Sequence, residues 1–398
     1  MNVQCPMSNA QWKRVRLDEC TQIVSGATPD TSDSGFWGGD ICWATPKDLS
    51  ELDGAFITDT PRKITQAGLD SCAATILPPM SVLFSSRAPI GHVAINKAPM
   101  ATNQGFKSFV PDPKQLTPEF LYWWLRTNRS YLESLGNGAT FKEVSKAVVA
   151  RIEIPLPPLA EQRRIAEVLD RAEALRAKRR AALAHLDTLT QSLFLDLFGD
   201  PVANRKAFPI SRMGDVCDVR DGTHDSPKYV AEGGYPLVTS KNLSGGFLDL
   251  SDVNRISEAD YVQINKRSKV DRGDIIMPMI GTIGSPVLVE DEPRFAIKNV
   301  ALIKFTDGSP SPIVVRHLLS CHYFDHIVGQ KNRGGTQKFV SLGDLRAFPL
   351  PLAPLPLQRE FARRVAAVEK LKAAQRVALA ELDALFTSLQ HRAFRAEL

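Results

Sequence analysis

The sequence predicts a mixed α/β protein made of two similar globular units, each followed by a long α-helix. Three observations lead to this prediction. The chain repeats itself at an offset of 196 residues, short apolar runs alternate with glycine and proline in each half, and each half ends in a stretch rich in alanine and leucine. Because a repeat constrains architecture more than local propensity does, the two halves are expected to share one plan.

Composition sets the first limits on function. The 398 residues are 43% hydrophobic and 23% charged, which is ordinary for a globular protein of two or three domains. The start of the chain has no secretory pattern and no apolar run approaches the length of a membrane span, so a cytoplasmic protein without a membrane partner is expected. The net charge of +5 permits nucleic-acid binding without establishing it.

Short apolar runs in each globular part predict strands. The runs VLF, HVAI and FKSFV lie in the first half, and DIIM and VALIKF in the second. A helix is predicted near residues 118–135 and another near 313–328. The aromatic side chains of Tyr122, Trp123 and Trp124 are expected to pack this first helix rather than stack on bases, since aromatics at helical spacing mostly fill cores.

The clearest part of the repeat lies at the end of each half. Residues 154–198 align without a gap on residues 350–394, with 20 of 45 positions identical. The prolines of IPLPPL and FPLPLAPLPL require extended backbone, so they close each globular part. The stretches from Ala160 to about Asp196 and from Pro356 to about Arg392 then predict helices, each roughly 55 Å long.

Apolar residues at alternating steps of four and three form a seam on each predicted helix. An antiparallel coiled coil within the chain buries both seams, and the short linker FGDPVANRKAFP favours it over a parallel pair. The polar Arg179 and Gln375 in mid-seam are expected to fix the register. The seam positions are Val168, Ala172, Leu175, Arg179, Ala182, Leu186, Leu189 and Leu193 in the first helix, and Val365, Val368, Leu371, Gln375, Ala378, Leu382, Leu385 and Leu389 in the second.

The proline-rich strand end, PLAEQRRIAEVLD and a leucine-rich helix, occurring twice after two dissimilar units, resemble the specificity subunit of type I restriction-modification systems. The resemblance covers nearly the whole chain. The second copy departs from the first where Leu357 replaces Glu161. The resemblance implies target recognition domains at residues 1–152 and 201–349, and helical spacers at 153–200 and 350–398.

The resemblance also implies a function. Each recognition domain would read one half of an asymmetric bipartite site in double-stranded DNA. The spacers would set the distance between the half-sites and dock two methylase subunits, and a restriction (helicase-nuclease) subunit could join. Adenine methylation with S-adenosylmethionine would occur in the methylase partner, so no cofactor is expected in this chain.

Candidate DNA contacts are polar residues beside glycine in loops, because Arg and Lys suit guanine and phosphate while Asn and Gln suit adenine. The recurring loops from Gly138 and Gly334 are the preferred ones. The DNA-binding candidates are Trp43, Thr45, Lys47, Arg87, Asn103, Gln104, Thr140, Lys142, Thr239, Lys241, Asn242, Thr282, Lys298, Asn299, Thr336 and Lys338. Gln162, Arg163, Gln358 and Arg359 at the helix starts are candidates for binding the methylase.

Other chemistries find little support in the sequence. The six cysteines have no C-x-x-C spacing, which argues against zinc and disulfides. His317, His322 and His326 with Cys321 and Asp325 are read as helix residues rather than metal ligands. The nucleotide, zincin and hydrolase motifs and the Asn-Pro-Pro-aromatic tetrapeptide are absent, so no catalytic residue is expected.

Three alternatives remain open at this point. One is a specificity subunit of a methylation-only complex. Another is a self-contained DNA methyltransferase or nuclease, which would bind S-adenosylmethionine or cleave DNA alone. The third is an adaptor whose twin domains bind polypeptides.

Overall fold

The computed structural model describes residues 12–87, 89–138, 142–280, 285–331 and 339–398. The chain divides into two compact units. Unit 1 comprises Met1–Arg180 and Val377–Leu398, and unit 2 comprises Ala181–Arg376. Both units combine small β-sheets with helices, so the mixed α/β prediction is confirmed. The domain boundaries that the resemblance implies remain a prediction.

In unit 1 a five-stranded sheet of order β2-β9-β6-β7-β4 lies with a three-stranded sheet of order β5-β3-β8 and the pair β1-β10. The strands are β1 (Arg14–Arg16), β2 (Thr21–Ser25), β3 (Trp37–Ala44), β4 (Phe56–Ile57), β5 (Lys63–Ile64), β6 (Val82–Phe84), β7 (Val93–Asn96), β8 (Met100–Thr102), β9 (Lys107–Pro111) and β10 (Glu153–Pro155). The helices are α1 (Leu17–Cys20), α2 (Pro46–Ser50), α3 (Gln66–Asp70), α4 (Pro118–Thr127), α5 (Arg129–Ser134), α6 (Lys146–Ala150) and the first part of α7 (Leu159–Phe198), which continues into unit 2 beyond Arg180.

Unit 2 has a four-stranded sheet of order β12-β20-β17-β18, a three-stranded sheet of order β16-β13-β19, and the pairs β11-β21 and β14-β15. The strands are β11 (Ile210–Arg212), β12 (Asp218–Asp221), β13 (Tyr235–Val238), β14 (Leu243–Ser244), β15 (Phe247–Leu248), β16 (Arg255–Ile256), β17 (Ile275–Pro278), β18 (Val287–Leu288), β19 (Ala296–Ile297), β20 (Val300–Lys304) and β21 (Pro349–Pro351). The helices are α8 (Met213–Val216), α9 (Glu258–Ser268), α10 (Pro312–Ser320), α11 (His322–Lys331), α12 (Leu342–Arg346) and the first part of α13 (Leu355–Ala393), which continues into unit 1 from Val377.

The predicted strand runs all fall on strands, and the proline-rich ends form β10 and β21, each paired antiparallel with the first strand of its globular part. The single helices expected near 118–135 and 313–328 are each broken in two, at Asn128 and at Cys321. Tyr122, Trp123 and Trp124 are buried in the core of unit 1, which confirms their packing role.

The two long helices agree closely with the prediction. In unit 1 the two helix segments run antiparallel, because Arg164 Nη2 donates to the carbonyl oxygen of Leu398 at 3.1 Å while Arg176 Nε donates to Asp383 Oδ1 at 2.6 Å. The two helix segments of unit 2 also run antiparallel, since Lys372 Nζ contacts Asp187 Oδ1 at 2.8 Å. There the ring of Phe361 lies 5.5 Å from that of Phe194. The predicted antiparallel coiled-coil pairing is confirmed.

The predicted seam is wrong at four leucines. Leu175, Leu189, Leu371 and Leu385 are 52%, 43%, 54% and 53% exposed. In each case the position one residue later is more buried, and these positions hold Arg176, Thr190, Lys372 and Phe386. Long basic side chains can bury their alkyl stems in such a seam while their charged ends meet a partner, so a pattern of leucines alone places the seam one residue early.

The register of each helix pair is held by ion pairs that the sequence did not indicate. Arg176 and Lys372 lie three residues before Arg179 and Gln375, and they are equivalent in the repeat. Their acidic partners, Asp383 and Asp187, are equivalent in the same way.

Within the described part of the chain, no helix is long and apolar enough to cross a membrane.

Candidate nucleic-acid interface

Many of the nominated polar residues follow the carboxyl ends of two adjacent parallel strands in each unit, namely Thr45, Lys47, Asn103 and Gln104 in unit 1 and Thr239, Lys241, Asn242, Lys298 and Asn299 in unit 2. In unit 1, β3 and β8 end side by side, and the backbone N–H of Asn103 donates to the carbonyl oxygen of Ala44 at 3.0 Å. In unit 2, β13 and β19 do the same, and the amide of Lys298 donates to the carbonyl oxygen of Val238 at 2.9 Å. The carboxyl ends of parallel strands are where α/β sheets commonly bind their ligands.

A capped turn follows the first of these strands in both units. Thr45 is the N-cap residue of α2, and its backbone N–H and hydroxyl both donate to Asp48 Oδ2, at 2.7 and 2.8 Å. Thr239 caps its turn in the same way, with its N–H donating to Asn242 Oδ1 at 3.0 Å. The caps fix the two turns, and the residue two positions after each threonine, Lys47 or Lys241, is exposed.

A glycine lets a third strand end approach each pair. A Cβ on Gly26 would lie 2.0 Å from the carbonyl oxygen of Asn103, and one on Gly222 would lie 2.5 Å from that of Ile297. The backbone then bonds across, with Ala27 N–H donating to Thr102 at 3.0 Å and Thr223 N–H to Ile297 at 3.0 Å. Three strand ends therefore meet in each unit, and glycine is required because a side chain would collide with main chain.

In unit 1 the turn after β3, the loop after β6 and the turn after β8 line an open cleft of about 490 Å³. Five of the nominated residues lie on its wall, namely Thr45, Lys47, Arg87, Asn103 and Gln104. Lys47 is solvated, and its ammonium group lies 3.7 Å from the exposed carboxylate of Glu51. Asn103 Oδ1 accepts the N–H of Gly105 at 2.9 Å, so its amide is oriented by the main chain.

Two residues of unit 1 that sequence reasoning missed belong to this surface. The hydroxyl of Thr28 donates to Gln104 Oε1. The guanidinium carbon of Arg62 lies 4.1 Å from the ring centroid of Trp37 and 5.0 Å from that of Trp43, so two indoles hold an exposed cation in place. Both residues lie far from the nominated loops in the sequence, so the sequence pattern did not identify them. The one available indication was the position of Thr28, two residues after Gly26.

The corresponding surface of unit 2 carries more titratable groups. Lys298 Nζ donates to the hydroxyl of Ser226 at 2.7 Å. The imidazole of His224 lies between two oxygens, with Nε2 2.7 Å from Asp221 Oδ2 and Nδ1 2.8 Å from Asn299 Oδ1. The hydrogen bonds to Asp221 and Asn299 raise the pKa of His224.

The carboxylate beneath His224 is itself well paired. Burial acts to raise the pKa of Asp221, but the hydrogen bond from His224 and the nearby charge of Arg267 outweigh it, and the net effect is a lowered pKa. Arg267, from the end of α9, contacts the other oxygen of the same carboxylate. Asp221 is therefore charged at neutral pH and attracts a proton to the imidazole.

Four nominated residues are placed inside the protein and serve its structure instead. Trp43 is 2% exposed, and its indole N–H donates to the carbonyl oxygen of Ala27 at 3.0 Å. Asn242 is 3% exposed and donates to the carbonyl oxygens of Asp249 and Asp252. The other two are the helix-start residues Gln162 and Gln358.

Gln162 and Gln358 correct the expectation of a methylase contact. Gln162 is fully buried, accepts the N–H of Thr117 at 2.8 Å and donates to the carbonyl oxygens of Gln115 and Pro157. Gln358 accepts the N–H of Ser311 at 2.7 Å and donates to the carbonyl oxygen of Ala353 at 2.7 Å. Both amides tie the first turn of a long helix to its globular part, whereas the adjacent Arg163 and Arg359 are exposed.

The remaining nominated residues divide into two groups. Lys142 and Asn299 are exposed, and Lys241 forms an ion pair of 3.5 Å with Asp252. Thr140, Thr282, Thr336 and Lys338 lie outside the described residues. Across the described ranges, no cluster of three His, Cys, Asp or Glu side chains could hold a metal ion. Among the histidines considered as metal ligands, His322 forms a hydrogen bond with Asp200, with Nε2 3.1 Å from Oδ1.

Comparison with known proteins bears on what these surfaces serve. Residues 9–185 match the family described as the type I restriction modification DNA specificity domain. The type I restriction enzyme MjaIX specificity subunit of Methanocaldococcus jannaschii is 28% identical over 380 residues, which cover 88% of this chain and 85% of that protein.

Two solved structures share the fold along nearly the whole chain. The type I restriction-modification S subunit from M. genitalium superposes with a TM-score of 0.61 at 14% identity, covering 99% of this chain and 98% of that one. A chain from a study of complex assembly and conformational transition of the type I R-M system gives a TM-score of 0.59 at 22% identity, covering 98% and 99%. Along nearly its whole length the chain is therefore similar to specificity subunits of type I restriction-modification systems, and its residues 9–185 match the DNA specificity domain of these systems.

Proposed function

We propose that each unit reads one half of an asymmetric bipartite DNA site with the surface where its parallel strands end. The observation that carries this proposal is the repetition of one arrangement in both units. A capped turn with an exposed lysine, a turn carrying amide or lysine side chains, and a glycine-led strand end meet at the same place. Since the rest of the globular parts differ in sequence, this shared arrangement points to a shared task.

The side chains at this place suit DNA. Lys47, Arg87 and Lys241 are exposed cations that can contact phosphates or guanine, and Gln104 and Asn299 carry amides that can pair with adenine. Arg62, supported by two indoles, adds a cation of fixed position in unit 1. The two surfaces present different side chains, so they would select different half-sites, and the whole site would be asymmetric.

The long helices would set the separation of the half-sites and dock two methylase subunits. Two exposed leucines on the helices of each unit are related by the repeat, Leu175 and Leu385 in unit 1 and Leu371 and Leu189 in unit 2, whereas the exposed Leu195 and Leu355 of unit 2 have no exposed leucine at the equivalent position. Exposed leucines in equivalent positions suit two copies of one partner. Exposed Arg163 and Arg359 remain candidates for the same contact.

The complex would act on DNA in the cytoplasm, with recognition domains at residues 1–152 and 201–349 and spacers between and after them. Adenine methylation with S-adenosylmethionine would take place in the methylase, and restriction would require a helicase-nuclease subunit. In this scheme the specificity chain supplies position and sequence selection, and the partners supply the chemistry.

The proposal is tested by Lys47→Ala and Lys241→Ala in the full chain bound to its methylase, with methylated adenines mapped by sequencing. Each change should weaken DNA binding and lower the slope of log affinity against log salt concentration by about 1, if the lysine contacts a phosphate.

Gln104→Ala should relax base selection at one base pair of a single half-site, at a cost in binding free energy of about 1–3 kcal/mol. Lys114→Ala, outside the cleft wall, is the control. Unchanged binding and selection in the Lys47, Gln104 and Lys241 variants would refute the proposed surfaces.

A further inference from the structure

The strand-end surfaces of the two units hold an exposed amide in equivalent positions but by different chemistry. Gly26 and Gly222 are equivalent in the repeat, and Thr28 and His224 each follow two residues later. In unit 1 the Thr28 hydroxyl bonds Gln104 Oε1, and in unit 2 the His224 imidazole bonds Asn299 Oδ1. A hydroxyl does not titrate near neutral pH, whereas an imidazole does.

The backbone keeps the amide of unit 2 at this place. Asn299 has φ of +55°, in the left-handed region that asparagine tolerates, and its N–H donates to the carbonyl oxygen of Thr223 at 3.2 Å. Its side chain is exposed. One edge of the amide therefore faces His224, and the other is available to a ligand.

The charged groups around His224 come from each element packed against it. Asp221 at the end of β12 accepts from Nε2, and Arg267 from α9 contacts the same carboxylate. Asp225, on the loop of His224, is bonded to the hydroxyl of Thr223 at 3.3 Å. Because Asp221 holds the Nε2 proton, the proton that comes and goes is the one on Nδ1, which faces Asn299.

From this geometry we infer that His224 is a positioning residue that selects which edge of the Asn299 amide faces DNA. The imidazolium donates from Nδ1 to Asn299 Oδ1, so the NH₂ group faces outward and offers two donors. Neutral imidazole accepts at Nδ1, so the amide rotates by half a turn, donates from Nδ2 and presents its oxygen outward. The exposed group thus changes from hydrogen-bond donor to acceptor when one proton leaves.

The two states favour different base edges. Outward donors suit guanine O6 and N7 or thymine O4, whereas an outward oxygen accepts from the amino groups of cytosine or adenine. The half-site preference of unit 2 would therefore depend on pH, and that of unit 1 would not. This inference rests on the proposed DNA-reading function of the strand-end surfaces.

The test measures binding of the full chain, bound to its methylase, to its mapped site and to every single base-pair substitution, at about pH 6 and about pH 8.5. The range extends well above 6.5 because hydrogen bonding raises the pKa of His224 and DNA phosphates favour the imidazolium further. We expect the preference at one base pair of one half-site to change by roughly fivefold or more between the two pH values. The other half-site should show no such change.

The matched variant is His224→Thr, which installs the residue that unit 1 uses at the equivalent position. It should keep sequence-selective binding and lose the pH dependence. An independent readout is the side-chain NH₂ resonance of Asn299 by NMR without DNA, which should follow the titration of His224 in the wild type and stay constant in His224→Thr.

The possible failures are distinguishable. If the wild type selects no DNA sequence at either pH, the proposed function itself fails. Selective binding with the same base preferences at both pH values, or an equal pH dependence in His224→Thr, would overturn the role of His224. So would an Asn299 resonance that ignores the titration of His224.

Discussion

At the scale of single residues, burial distinguishes a packing histidine from the histidine that we propose to position Asn299. His224 is exposed at the strand-end surface, whereas His317 on α10 stacks on Phe194 with ring centroids 4.3 Å apart and packs edge-on to Phe361. Burial and the nearby charge of Arg316 lower the pKa of His317 to about 4. This histidine is therefore neutral in the folded chain and acts as an aromatic packing residue.

A pH dependence of stability follows for His317. Because its pKa falls from 6.5 to about 4 on folding, its stabilising effect is complete above pH 6.5 and decreases as the pH drops towards 4. The loss amounts to at most about 3 kcal/mol. His317→Phe should therefore lose less stability than the wild type between about pH 7 and about pH 4.5, measured by urea unfolding. The exposed His391→Gln is the control, and equal losses in His317→Phe and the wild type would contradict this role.

Residue types alone indicated part of the candidate surface. Five of the polar residues predicted in unit 1 line one cleft, so the sequence indicated residues that the fold brings together, and their contact with DNA stays a prediction. The sequence could not show that Trp43 is buried, since an aromatic residue at a strand end can face either side. Nor could it pair Thr28 with Gln104, because that contact depends on how three strand ends meet.

At the scale of elements, the two long helices were the most predictable part. Stretches without Gly or Pro after proline-rich ends fixed their limits to within a few residues. The seam was less predictable, because both helices carry more leucines than one face can bury. Leu175 and Leu371 are exposed, while the basic residues that follow them occupy the interface with their alkyl stems.

The ion pair of Arg176 with Asp383 should contribute more than that of Lys372 with Asp187. Lys372 is the more buried cation, but the guanidinium of Arg176 lies 4.2 Å from the Phe386 ring centroid, and Asp383 is 46% exposed against 67% for Asp187. A double-mutant cycle to alanine should give a coupling energy of about 1–2 kcal/mol for the first pair and below about 1 kcal/mol for the second. The exposed pair Arg171 and Glu167 serves as reference. Equal coupling in all three pairs would show that burial and the aromatic contact add nothing.

At the scale of the whole molecule, the proposed docking of two methylase subunits on the repeated exposed leucines predicts a stoichiometry. Changing Leu175 and Leu385 together to Glu should remove one of two methylase subunits, because a charge cannot be buried against an apolar partner surface. Changing Leu189 and Leu371 to Glu should remove one as well, and all four changes should remove both. Native mass spectrometry of the purified complex measures the count.

Lysine substitutions at the same positions would serve as a second set of variants. They show whether the loss of binding depends on the negative charge of Glu or only on the loss of the apolar contact. Circular dichroism of each variant checks that the helices still form. If two methylase subunits remain bound after all four changes to Glu, these leucines do not form the docking surface.

The buried glutamines at the helix starts have a consequence for how such a chain can change over time. Every hydrogen-bond partner described for Gln162 and Gln358 is a main-chain N–H or carbonyl group. A joint made with backbone atoms does not depend on which side chains the adjoining globular part carries. One globular part could therefore be exchanged for another of unrelated sequence while the hydrogen bonds of Gln162 or Gln358 are kept. New DNA-site preferences could then arise by replacement of a whole globular part.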